Sequence, residues 1–192
     1  MAKLYFYYAS MNAGKSTALL QAAHNYKEQG HHVLLIKPEV DDRSGSSNIS
    51  SRIGLESLAI PFDAEANLYE LTLRELRNTK LSCVLVDESQ FMTDEQVQQL
   101  CDVVDFNNIP VVCYGLRTDF QGNFFPGSGA LLARADKLIE LKGICHCGKK
   151  ANFVLRRDKA GRVVKEGDQV MIGGNDRYEA VCRHHHRRAM LS

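Results

Sequence analysis

The chain lacks long apolar runs. Its longest aliphatic stretches are no longer than residues 33–36, far short of the ~18 residues that a membrane-spanning helix needs, so it is not expected to span a membrane. It also lacks an excess of charge of either sign, with 24 Lys plus Arg against 23 Asp plus Glu in 192 residues. Bulk attraction to nucleic acid or anionic lipid therefore does not organise its function, and any anion it binds must be held locally. Beyond His184-His185-His186 there is no low-complexity segment, and no tandem repeat occurs. What is present is 44% apolar residue, enough for the core of one domain, or of one domain with a small appendage, and too much for a disordered or fibrous chain.

The six cysteines divide into two kinds. Cys83, Cys101 and Cys113 sit singly inside apolar segments, as buried free thiols do. Cys145, Cys147 and Cys182 cluster late in the chain among histidines, the pattern of a metal site in a reduced compartment, which predicts a cytoplasmic protein. Residues 1–8 carry one positive charge and an apolar stretch, as a secretion leader does, but run straight into polar Asn12-Ala13-Gly14-Lys15-Ser16-Thr17. They read as a first strand.

Residues 3–8 are uncharged after Lys3, which suits a strand buried on both faces. Residues 16–29 carry Leu19, Leu20, Ala23 and Tyr26 at helical spacing, with Gly30 as the stop, and residues 33–36 form the next buried strand. This βαβ unit predicts a parallel α/β sheet flanked by helices. Residues 41–51, rich in Ser, Asp and Asn, read as a mobile, ligand-covering loop. A helix over 68–78, a strand over 81–86, a capping box at Thr93-Asp94-Glu95-Gln96 opening a second helix, and a strand over 110–116 continue the pattern. After Leu141 helical periodicity disappears, and residues 142–192 hold three of the six cysteines and four of the seven histidines. The composition shift predicts two domains, 1–141 and 142–192. The second has β-like stretches at 153–157 and 163–172 and too little core to stand without a staple.

Three groups of residues carry chemistry. Ala9-Ser10-Met11-Asn12-Ala13-Gly14-Lys15-Ser16 ends like a phosphate loop, with Ala9 replacing the usual opening glycine. Such a loop curls backbone N–H groups around phosphate oxygens at a helix N-terminus, adds a lysine charge, and offers a hydroxyl to Mg²⁺. Lying between a buried strand and an amphipathic helix, it is placed where that mechanism requires it. Next, Asp87 and Glu88 end the strand over 81–86. Asp87 would hold Mg²⁺ through water, leaving Glu88 to take a proton from an attacking hydroxyl. Finally, Cys145, Cys147 and Cys182, with a histidine from His184-His185-His186, suit a closed tetrahedral Zn²⁺ site. Spacing alone does not choose among the three histidines.

Together these residues resemble the type II thymidine kinases, the small zinc-containing deoxynucleoside kinases, and in particular their bacterial branch. The likeness spans nearly the whole chain. It rests on Tyr8-Ala9-Ser10-Met11-Asn12-Ala13-Gly14-Lys15-Ser16-Thr17, on Val86-Asp87-Glu88-Ser89-Gln90-Phe91, on Tyr114-Gly115-Leu116-Arg117-Thr118-Asp119-Phe120, on the cysteines, and on Ile172-Gly173-Gly174-Asn175-Asp176-Arg177-Tyr178. The resemblance implies a P-loop NTPase-like sheet followed by a zinc-ribbon-like β domain with a lasso loop. Its implied reaction moves the ATP γ-phosphoryl group to the 5′-hydroxyl of thymidine, a step of nucleoside salvage and DNA precursor synthesis.

On this resemblance Glu88 is the proton acceptor, with Lys15 and Arg52 at the transferring phosphate. Ala9, Ser10, Met11, Asn12, Ala13, Gly14, Lys15, Ser16, Asp87, Glu88, Ser89 and Gln90 form the nucleotide site. Phe91, Phe120, Val170, Met171, Ile172, Gly173 and Tyr178 surround the base. Cys145, Cys147, Cys182 and His185 are the zinc ligands. Val154 departs from relatives that carry threonine near the base. A homotetramer and feedback inhibition by thymidine triphosphate are further family expectations, with neither nucleic acid nor membrane as partner. Two other readings compete: a zinc-ribbon nucleic-acid-binding ATPase, suggested by Arg183, Arg187 and Arg188, and a zinc interaction module on a degenerate nucleotide-binding domain. Near-neutral charge weighs against the first and intact Lys15, Ser16, Asp87 and Glu88 against the second.

Overall fold

In the computed structural model, which describes residues 1–39, 48–170 and 177–192, strand β1 (Leu4–Ala9) turns through residues 10–14 into helix α1 (Lys15–Glu28). Strand β2 (His32–Pro38) follows. A short antiparallel pair, β3 (Asn48–Ser50) with β4 (Glu56–Leu58), leads to β5 (Ile60–Phe62) and helix α2 (Leu68–Asn78). Strand β6 (Leu81–Val86) passes through a single 3₁₀ turn, Ser89–Phe91, into α3 (Asp94–Asn107). Then come β7 (Val111–Leu116), α4 (Pro126–Arg134) and β8 (Lys137–Glu140).

Six of these strands form one sheet in the order β5-β2-β6-β7-β1-β8, every neighbouring pair parallel. Because side chains alternate along a strand, the apolar strands feed two cores. Phe6, Ile36, Val84, Val86 and Val111 meet Leu68 of α2, Val97, Leu100 and Val103 of α3, and Leu131 of α4. On the opposite face Leu35, Cys83, Leu85 and Tyr114 meet Leu19, Leu20 and Ala23 of α1. The expected capping box is formed: Thr93 Oγ1 accepts the Gln96 N–H, and Gln96 Oε1 accepts the Thr93 N–H, both at 3.1 Å. Parallel strands put their C-terminal ends on one edge, so Ala9, Val86 and Leu116 all deliver the chain to the same crevice.

Beyond β8, β9 (Gly143–Ile144) pairs with β10 (Lys150–Ala151), and β11 (Phe153–Arg157) lies between β12 (Val163–Val164) and β13 (Tyr178–Val181). Helix α5 (Arg183–Leu191) closes the chain. Among the described residues the apolar cluster here is small: Cys145, Ala151, Leu155, Val181 and Cys182.

The structure departs from the sequence reading in three places. Of the stretch expected over 163–172, the described residues 163–170 are strand only over Val163–Val164, because Glu166, Gly167 and Asp168 have no apolar side chains with which to continue it; residues 171–172 lie outside the described residues. Helical structure does not end at Leu141. α5 escapes apolar periodicity because it is anchored by buried His186 and partly buried Ala189 and Met190 rather than by a leucine stripe. Of the loop expected over 41–51, residues 48–50 are strand β3, with Ile49 buried against the α1 face; residues 41–47 lie outside the described residues.

Candidate active site and metal centre

The phosphate loop is shaped by two left-handed residues, Asn12 at φ 64° and Gly14 at φ 79°. Glycine takes that conformation without steric cost, and at position 14 it opens α1 and aims the first N–H groups of the helix into the crevice. Ala9 is buried at the end of β1, outside the left-handed region, so a methyl group replaces the usual glycine without strain. The Lys15 side chain is buried, and its Nζ donates to Ser10 O at 3.1 Å.

Facing the loop, β6 ends in Asp87 and Glu88, both buried. Asp87 Oδ1 accepts the Glu88 N–H at 3.0 Å, and its carboxylate accepts a hydrogen bond from the Ser16 hydroxyl. Burial above all, and then the Glu88 charge, push the Asp87 carboxyl well above the carboxylate range; Ser16, the Glu88 N–H and Lys15 pull the other way. A buried acid beside a serine hydroxyl and a lysine suits a hard divalent cation such as Mg²⁺, which would restore the stability of the charged form.

That shift has a consequence for stability. Asp87 holds its proton to higher pH when folded than when unfolded. Its contribution is therefore complete below the unfolded value of about 4 and declines as pH rises toward the folded one. In magnesium-free buffer Asp87→Asn, which keeps an oxygen for the Glu88 N–H, flattens this decline and stabilises the protein at pH 8 by roughly 2 kcal/mol. Urea denaturation from pH 4 to 8 checks this: a variant that tracks the parent at every pH contradicts it.

Glu88 occupies the left-handed region at φ 47°, ψ 39°, an uncommon and strained conformation for a residue with a side chain. Gln90 sets its orientation. Gln90 Oε1 accepts the Leu116 N–H at 3.0 Å, so the amide end must face Glu88, where Nε2 donates to Oε2 at 2.5 Å. Ser89 is fully buried beside it.

This turn rests on α4 through Gly127. A Cβ there would stand 2.3 Å from Ser89 O, 2.9 Å from Met92 O and 3.0 Å from Gln90 O, all backbone atoms. Gly127→Ala therefore drives the turn away, with a stability loss of about 1–3 kcal/mol and a fall in kcat as Glu88 shifts. Urea unfolding and steady-state rates measure both.

The residues expected to surround a base are placed as follows. Phe91 meets Phe125 edge to face with ring centroids 5.8 Å apart, while Phe120 is fully buried beneath Arg156. Tyr178 lines a cleft of about 500 Å³ with Met11, Asn12, Gly143, Ile144, Arg157, Glu179 and Ala180. Val170 is exposed at the edge of the described chain, and Met171, Ile172 and Gly173 lie outside the described residues. Arg52 is exposed in the turn between β3 and β4 and has no hydrogen bond or ion pair among the described residues. Val154 is buried in β11.

The metal donors converge. Ligand atoms of Cys145, Cys147, Cys182 and His185 all lie within 4.8 Å of one another. His185 Nδ1 is 3.3 Å from Cys145 Sγ and 3.5 Å from Cys182 Sγ, and the Cys147 and Cys182 sulfurs are 3.9 Å apart. Tetrahedral Zn²⁺ with Zn–S bonds of ~2.3 Å spaces its sulfurs by about 3.8 Å, so the donor set fits zinc with no position left open. Geometry also separates the three histidines. His186 Nε2 donates instead to Phe120 O at 2.7 Å, and the His184 ring lies edge-on to His185. Burial would raise the Cys145 thiol, but the backbone N–H groups of Cys147 and Cys182 and the His185 ring bring it below the thiol range.

Residues 151–152 are tied both to the phosphate loop and to the end of β7. Ser10 Oγ donates to Ala151 O at 3.0 Å, and Arg117 Nη2 to Asn152 O at 3.1 Å. Sequence patterning missed these contacts, because single hydrogen bonds over 141 and 35 residues leave no local signal.

Comparison with known proteins follows the same outline. The family model described as thymidine kinase matches residues 2–186. A thymidine kinase of Mannheimia succiniciproducens is 59% identical over 96% of this chain and 95% of its own length. One of Rhodopirellula baltica is 57% identical over 99% and 90%. Among solved structures, a DNA replication initiation factor shares 18% identity over 73% of this chain and 40% of its own, with a TM-score of 0.42, a likeness too loose to bear on function.

Proposed function

Because the chain belongs to the thymidine kinase family, we propose that its phosphate loop and Glu88 carry out transfer of the ATP γ-phosphoryl group to the 5′-hydroxyl of thymidine. The observation that carries this reading is the Glu88 carboxylate, buried beside the Asp87–Ser16 pair and held by a Gln90 amide whose direction Leu116 fixes. Backbone N–H groups of residues 10–16 receive the phosphates, and Lys15 adds its charge. Ser16 and Asp87 would hold Mg²⁺, which would supply neutralisation of charge on the phosphate oxygens. Glu88 accepts the proton of the 5′-hydroxyl as that oxygen attacks, and Gln90 keeps the carboxylate aimed. Arg52 meets the transferring group. Phe91, Phe120, Tyr178 and residues 170–173 enclose the base.

Residues 1–141 form the nucleotide-binding unit and 142–192 the zinc and lasso unit, with Zn²⁺ on Cys145, Cys147, Cys182 and His185 as its staple. A cytoplasmic homotetramer inhibited by thymidine triphosphate is part of the same reading. Among the described residues no helix is long and apolar enough to cross a membrane.

The test is to incubate the purified protein with Mg-ATP and, separately, a panel of nucleosides and DNA, recording phosphate transfer and ATP consumption. Thymidine-dependent formation of the 5′-monophosphate is expected. ATP consumption with DNA alone overturns the reading.

A further inference from the structure

Arg156 is a buried cation that the mechanism above leaves unused. It lies within β11 at 3% exposure, in register with Val164 and Tyr178. No carboxylate pairs with it among the described residues. Nη1 donates to Asp168 O at 2.6 Å, Cζ stands 3.8 Å from the centroid of the Phe120 ring, and Nε has no partner. Burying a guanidinium on such terms is unfavourable, and a methionine or leucine would fill the same space at less cost. A purely space-filling position does not call for arginine.

The surroundings show what it joins. Gln169 Nε2 donates to Asp119 Oδ2 at 2.9 Å and to Phe124 O at 3.1 Å, and Gln121 Nε2 donates to Lys165 O at 3.1 Å. Asp119 is itself fixed, its Oδ1 accepting the N–H groups of Gln121 and Asn123 at 2.9 Å. Gly167 makes room for the guanidinium, since a Cβ there would lie 2.6 Å from Arg156 Nη2. The stretch 165–169 is thus tied at three points to the turn that carries Phe120. With His186 holding the Phe120 carbonyl and Arg156 covering one ring face, both backbone and ring of Phe120 are fixed.

We propose that Arg156 and Gln169 form a latch closing residues 165–169 onto the Phe120 turn, and that Arg156 is a positioning residue for the nucleoside, acting through the Phe120 ring. This rests on the reading that Phe120 packs on thymine. With the ring fully buried and one face covered by the cation, Phe120 is held at a single tilt, which sets the wall that the base meets. The latch touches neither the phosphate loop nor Glu88. Its loss therefore weakens thymidine binding and leaves ATP binding and chemistry in place.

The experiment compares Arg156→Met, Arg156→Lys and Gln169→Ala with the parent in the zinc-loaded, full-length protein, measuring KM for each substrate, kcat, zinc content and thermal midpoint. A hydrogen bond from a charged group supports an expected rise of about tenfold in the thymidine KM of Arg156→Met, with ATP KM and zinc content unchanged. Arg156→Lys, which can still donate to Asp168 O but offers no planar face, recovers part of the loss. Gln169→Ala, partly exposed and free of packing demands, moves thymidine KM in the same direction and decides the matter should Arg156→Met fail to fold. Thymidine KM unchanged in both overturns the latch. A parallel loss of ATP affinity, zinc and thermal stability overturns it in favour of a structural role. If the parent itself forms no thymidine monophosphate, the functional reading fails and takes the latch with it, whereas an active parent with indifferent variants removes the latch alone.

Discussion

Glu88→Gln lowers kcat for thymidine phosphorylation by at least about a hundredfold, the lower end of what a positioned general base contributes, while ATP still binds. The substitution keeps the shape of the side chain and removes its capacity to accept the proton. Its new amide can turn its oxygen toward Gln90 Nε2, whose direction is set because Gln90 Oε1 is engaged by the Leu116 N–H, so the hydrogen bond that holds the side chain is kept. Basicity is therefore lost while position is retained. Single-turnover rates with ATP affinity measured in parallel are the check. Retained turnover shows that Glu88 is not the base, and lost ATP affinity shows that the variant damaged the loop instead.

The second large effect belongs to the metal. Cys145→Ser removes one of four donors and opens a small apolar cluster that Cys145 and Cys182 form with Ala151, Leu155 and Val181. Structural Zn²⁺ in small folds contributes on the order of 10 kcal/mol, far more than that cluster supplies. Zinc falls well below one equivalent per chain, amides in 143–191 exchange rapidly with solvent, and thymidine affinity drops as the His186 bond to Phe120 is lost. The parallel sheet keeps its protection. Metal analysis and hydrogen exchange measure these outcomes; full zinc retention refutes the ligand assignment.

The strand ends at the crevice were legible because each is marked locally: an apolar run fixes the strand, and the polar residues that follow fix the crevice. The capping box of α3 was legible for the same reason. Strand β8, with Leu138 its one strongly exposed apolar residue at the sheet edge, carries no such mark. Helix α5 is built on His186, Ala189 and Met190, which hydrophobic periodicity does not count. Arg156 looks like one more cation in a basic stretch, and only the fold places it over Phe120. Spacing left three histidines open as the fourth metal donor, and three-dimensional convergence selects His185.

The sheet order has a consequence for synthesis on the ribosome. β1 emerges first, yet both of its partners, β7 and β8, come from residues 111–116 and 137–140. Contacts so distant in sequence form slowly, and until they form a strand carrying Tyr5, Phe6, Tyr7 and Tyr8 stays unpaired. The nascent chain must therefore carry an aromatic, aggregation-prone edge through about three quarters of its translation. The nucleotide-binding loop, almost the first segment to be made, is among the last to acquire its shape.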